Sequence, residues 1–123
     1  MGRTREDPAV AEPPEAVVRR QFDTYNAHDI DAYMTCFAES IEMRSFPDGA
    51  LLLAGRDEVR RFYRERRFNI PALRAELLGQ LVFGDFVVYH EKLIGLEPGR
   101  EHVAIAIHEV RDGLIQRMWF IRG

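Results

Sequence analysis

Residues Tyr25–Arg44, YNAHDIDAYMTCFAESIEMR, constrain this chain more than any other stretch. A helix whose apolar residues Val18, Phe22 and Tyr25 fall at helical spacing ends near His28. Asp29 then stands where its carboxylate can accept from the open amides of a following turn. Ile30, Tyr33, Met34 and Phe37 mark one face of a second helix at i, i+3, i+4 and i+7, and Ile41–Phe46 reads as a strand.

The flanking segments complete the pattern. Residues 1–13 are polar and interrupted by proline, which predicts a disordered lead-in, and residues 14–123 form one domain. Pro14 suits a first helical turn. Pro47-Asp48-Gly49 predicts a turn into a short strand over Ala50–Ala54. A third helix starts near Gly55, with Asp57 and Glu58 in the first turn where its dipole favours them. Val59, Phe62 and Tyr63 form its inner stripe, Arg60, Arg61, Arg64 and Arg67 its outer face, and Pro71 bars more helix. Four long strands follow, separated by Gly84-Asp85, Pro98-Gly99 and Asp112-Gly113. The last is the strongest hairpin signal, because a type I′ turn needs positive φ at both central residues. Leu73, Ala75, Leu77, Gly79, Leu81 and Phe83 are expected on one side of the first of these strands.

The fold class is α+β, with three helices in the N-terminal half packed on a strongly curved, mostly antiparallel mixed sheet. Long antiparallel strands twist until one face is concave, and three short helices close one end without filling the hollow. A largely apolar pocket with a few oriented polar groups is expected, holding a small-molecule ligand. Net charge is −3, so neither nucleic acid nor an anionic membrane is an expected partner. The single cysteine, Cys36, excludes an internal disulfide, and no apolar run approaches a bilayer span. No signal-peptide core is present, which predicts a cytoplasmic protein.

AVVRRQFDTYNAHDIDAYMTCFAESIE, Gly55-Arg56 followed by VRRFY, and the closing VRDGLIQRMWFIR together resemble the NTF2-like superfamily over about residues 15–122. That superfamily of cone-shaped α+β domains includes ketosteroid isomerases, SnoaL-type polyketide cyclases and scytalone dehydratase. The resemblance implies an internal pocket and a homodimer paired through the outer face of the sheet. It does not carry the isomerase chemistry. That chemistry needs a carboxylate base where Ser45 aligns, a phenol donor where Gln21 aligns and a protonated acid where Ile107 aligns. Only Tyr63 matches.

Glu91 is the sharpest candidate for acid–base chemistry. In FVVYHEKLI the residues Val87, Tyr89, Glu91 and Leu93 share the more apolar face, which the resemblance also turns inward. A carboxylate there would lose solvent and titrate nearer neutrality. The plainer alternative is an exposed sheet edge or an ion pair with a nearby arginine. Arg44 is a candidate partner for Glu91 or an anionic ligand, against the alternative of a surface arginine. The resemblance puts Tyr25, Tyr63 and Tyr89 along the cavity wall, where each offers a ring and a hydroxyl, though core aromatics need no function. Gln21 and Ile107 align with pocket positions, and Trp119 is expected to pack inside.

The histidines His28, His90, His102 and His108 lack metal-ligand spacing, so no metal and no cofactor are expected. His108 is expected opposite Ile107, toward a dimer interface, where Val88, Ala104 and Ala106 also lie. Two functions compete. One is a cofactor-free isomerase, dehydratase or cyclase of an apolar oxygenated metabolite. The other is a ligand-binding or dimerisation module without turnover.

Overall fold

The computed structural model describes residues 12–123. The expected lead-in over residues 1–13 therefore lies almost wholly outside the described residues. α1 (Pro14–Asn26) buries Val17, Val18, Gln21, Phe22 and Tyr25 along one stripe. Asp29 caps α2 (Ile30–Met34), its carboxylate accepting from the Ala32 amide at 3.2 Å. α2 stops earlier than the apolar spacing predicts, because Phe37 already opens β1 (Phe37–Ser45). β2 (Leu51–Ala54), α3 (Arg56–Arg66), β3 (Arg74–Phe83), β4 (Phe86–Glu97), β5 (Arg100–Arg111) and β6 (Leu114–Arg122) follow.

The strands form one sheet in the order β2-β1-β6-β5-β4-β3, with β1 and β6 parallel and every other pair antiparallel. The core lies between α1, α2 and the concave face, around Tyr33, Phe37, Ile41, Val87, Ile115 and Met118, each at most 2% exposed. Asn26, at the end of α1, clamps β3. Its amide donates to the Ala75 carbonyl at 3.0 Å, and its own oxygen accepts from the Ala75 amide at 2.7 Å. Asp112 and Gly113 take φ of 57° and 74°, the positive pair that a tight β5–β6 hairpin requires.

Two features of the sheet differ from the sequence pattern. A register shift in β3 between Leu77 and Gly79 breaks its alternation. Ala75 and Leu77 stay opposite Leu93 and Glu91, whereas Leu81 and Phe83 pair with Val88 and Phe86 on the convex face. β5 is also turned the other way. His102, Ala104, Ala106 and His108 lie opposite Leu93, Glu91, Tyr89 and Val87, and so face the concave side. Val103, Ile105 and Ile107 face outward. The larger apolar residues of β5 thus cover the convex face, and small alanines are what keep the concave face hollow.

Candidate functional site

The concavity holds a cavity of about 720 Å³, open at one end. Its inner wall is aromatic. Gln21, Phe22 and Tyr25 from α1, Tyr33 from α2 and Tyr63 from α3 line it, because each lies on the stripe its helix turns to the sheet. The Tyr33 and Tyr63 rings lie 5.0 Å apart, and Tyr25 lies 6.0 Å from the first and 6.2 Å from the second. Gln21 donates to the Tyr33 hydroxyl at 3.2 Å, and the Tyr63 hydroxyl lies 3.7 Å from the Met43 sulfur. Burial raises the pKa of all three phenols above the ordinary value, so they stay protonated donors at neutral pH.

Glu91 enters from the sheet side. It stands on β4 between Leu77 of β3 and Ala104 of β5, neither of which offers it a polar partner. Its carboxyl lines the cavity and makes no hydrogen bond or ion pair among the described residues. Loss of solvent pushes its pKa up to about 7, so neutral solution holds it near half ionisation. Such a group can either take or give a proton.

The open end is lined by Phe62, Arg66 and Arg67 from the end of α3 and by Phe120 and Arg122 from β6. Arg67 lies over the Phe62 ring at 4.8 Å and Arg122 over the Phe120 ring at 6.0 Å. Glu97 and His102 reach the same rim, 3.4 Å apart.

The expected site residues thus separate into two groups. Gln21, Tyr25, Tyr63 and Glu91 share the cavity wall. Tyr89 is on the concave face but lies beneath α1, edge-on to Phe22 at 5.7 Å and to His108 at 5.6 Å. Arg44 points away from the hollow, bonding Glu42 at 3.1 Å and the Gly49 carbonyl at 2.8 Å, because its β1 position pairs with outward Trp119. Ile107 and Trp119 sit on the convex face, where Trp119 packs beside Phe86 and Arg117. His108 is wholly buried under the helices instead of facing a neighbour, its Nδ1 3.0 Å from the Val87 carbonyl. Burial pushes its pKa down to about 4, the Val87 carbonyl opposing the shift only in part. Among the described residues no three His, Cys, Asp or Glu side chains are grouped to hold a metal ion, and no helix is long and apolar enough to cross a membrane.

Sequence reasoning missed the rim. Arg67 reads as part of the outer arginine face of the third helix, and Arg122 draws no reading of its own. A signal was present in the alternation Met118, Phe120, Arg122, which shares one side of β6.

A family model described as a SnoaL-like domain matches residues 18–118, most of the chain. The chain belongs to the SnoaL-like family. Solved structures show how widely this SnoaL-like fold recurs. An uncharacterised cystatin-fold protein from Novosphingobium aromaticivorans superposes with a TM-score of 0.80 at 18% identity, over 91% of this chain and 100% of that one. A Kribbella flavida protein provisionally described as a ketosteroid isomerase gives 0.76 at 22% identity, over 89% and 77%. A Sinorhizobium meliloti protein provisionally described as a polyketide cyclase gives 0.73 at 25% identity, over 86% and 94%. These likenesses carry the NTF2-like, ketosteroid-isomerase-like fold. No curated protein matches the chain.

Proposed function

We propose that this SnoaL-like protein binds a small, largely apolar, oxygenated metabolite in its cone and transfers a proton on it without a cofactor. Isomerisation, dehydration or cyclisation all fit such a step. The observation that carries the reading is Glu91: a carboxyl without a partner among the described residues, facing a hollow that three protonated phenols also line. Glu91 takes a proton from carbon, and Tyr25 or Tyr63 donates to the oxygen on which charge develops. The reaction differs from steroid isomerisation as the resemblance describes it, since Ser45 bonds Asp48 at a turn, Gln21 holds Tyr33, and Ile107 faces outward.

A general probe tests this without knowledge of the natural substrate. 5-Nitrobenzisoxazole opens to a coloured phenolate when a base removes its ring proton. Turnover should follow one ionisation near pH 7 and vanish in Glu91→Gln. Equal rates for the wild type and that variant would refute the assignment.

A second reading is supported by the convex face. Leu81, Phe83 and Phe86 are 65%, 81% and 40% exposed there, beside Val88, Ile107 and Trp119. Such an apolar sheet face is suited to pairing two copies of the chain. The protein would then be a homodimer, and pairing alone would be its role if the cone proved inert.

A further inference from the structure

We infer that the ligand of this cavity is an organic carboxylate, held by its carboxylate at Arg67 and Arg122 on the rim with its apolar body directed inward toward Tyr25, Tyr63 and Glu91. The inference rests on the proposed cavity function and adds the chemical class and the orientation of its substrate.

Nine other arginines of the fold lie beside a carboxylate, as Arg44 does with Glu42 and Arg117 with Glu109. Arg56, Arg61, Arg66, Arg67 and Arg122 have none among the described residues; of these Arg66, Arg67 and Arg122 line the cavity, and Arg67 and Arg122 are the two that lie over rings. Among the described residues Arg67 donates only to the Arg66 carbonyl, at 2.8 Å. Both line the cavity, and both lie over aromatic rings, Phe62 and Phe120, that line it too. A guanidinium laid over a ring keeps its in-plane N–H groups free to bind a planar anion in a fork. Glu97, the carboxylate at the same rim, is already engaged by Arg100 at 3.7 Å and His102 at 3.4 Å.

Charge is thus divided along the hollow. Arg67 and Arg122 ease the ionisation of both Tyr25 and Tyr63, while Glu91 opposes it, so the phenols feel the rim cations and the inner carboxyl together. An anion at the rim is attracted by the arginines and held off from Glu91. A ligand anchored there presents its far end, not its carboxylate, to the acid–base group. Hydrogen bonds to charged groups in a partly dry site are worth enough to give the anion an advantage of about tenfold or more over a neutral isostere.

Calorimetric titration with 2-naphthoate and with methyl 2-naphthoate at neutral pH tests this, in the wild type and in an Arg67→Gln, Arg122→Gln double variant. Naphthoate should bind at least about tenfold tighter than the ester to the wild type. The double variant should lose that preference and still bind the ester, which also shows that its cavity is intact. Equal affinities in the wild type, or a preference that survives in the variant, would overturn the rim assignment and leave the cavity reading standing. Binding of neither probe to the wild type would overturn both.

Discussion

Glu91 faces Ala104 directly across the β4–β5 ladder, with Leu77 on its other flank. A methyl group there leaves the carboxyl open to the cavity but gives it nothing to bond. The charge is disfavoured, and the group titrates near neutrality.

The first consequence is for stability. Glu91 has a folded pKa raised from 4.5 to about 7, so its ionisation opposes folding as pH rises through that interval. Glu91→Gln removes the charge at nearly constant shape. It should raise the unfolding free energy by about 1–3 kcal/mol at pH 8 and change little at pH 4. Urea denaturation at the two pH values checks this.

His108 gives the opposite slope. Its folded pKa is lowered from 6.5 to about 4, so stability is fully present above pH 6.5 and is lost as pH falls through that range. The loss approaches about 3 kcal/mol by pH 4. His108→Leu should cost about 1 kcal/mol at neutral pH, for the bond to Val87, and should flatten the acid limb. Wild-type stability should therefore vary little between pH 4.5 and 6.5, because Glu91 and His108 work against one another. Each single variant should expose the other's slope.

Gly95 is fixed by space as well as by backbone. Its φ is +83°, and a Cβ there would stand 2.1 Å from the Ala72 carbonyl oxygen. Gly99, at φ +71°, has nothing within 4 Å of a Cβ. Gly99→Ala should cost about 1–2 kcal/mol from the left-handed backbone alone, and Gly95→Ala more than about 3 kcal/mol. Thermal melts of the two variants should separate clearly.

The pairing proposal predicts a dimer in sedimentation velocity at micromolar concentration. Ile107→Lys or Phe83→Asp should shift it to monomer without unfolding it, since both side chains lie on the convex face. A wild type that stays monomeric at high concentration would contradict the pairing.

Local chemistry explains which parts of this molecule were legible in the sequence. Asp29 as a cap, Asp112-Gly113 as a hairpin turn and the apolar stripe of α1 each depend on residues close in the chain, and each appears in the fold. The inward position of Glu91 was legible for the same reason, because Val87–Leu93 alternates without interruption. β5 was misread because its larger apolar residues, Val103, Ile105 and Ile107, suggest the buried side. A hollow reverses that rule by placing alanine on the concave face. The bulge in β3 left no mark that strict alternation could show, so Leu81 and Phe83 changed sides. Arg67 and Arg122 come to line one cavity only through the closing of the cone, across more than fifty residues of chain.

The most direct measurement is the titration of the Glu91 side chain itself, followed by its 13C carboxyl chemical shift in the wild-type protein, with Glu91→Gln to assign the resonance. A midpoint near pH 7 is predicted. A midpoint at the ordinary glutamate value, near 4.5, would place the carboxyl in water and remove the basis for acid–base chemistry in the cone.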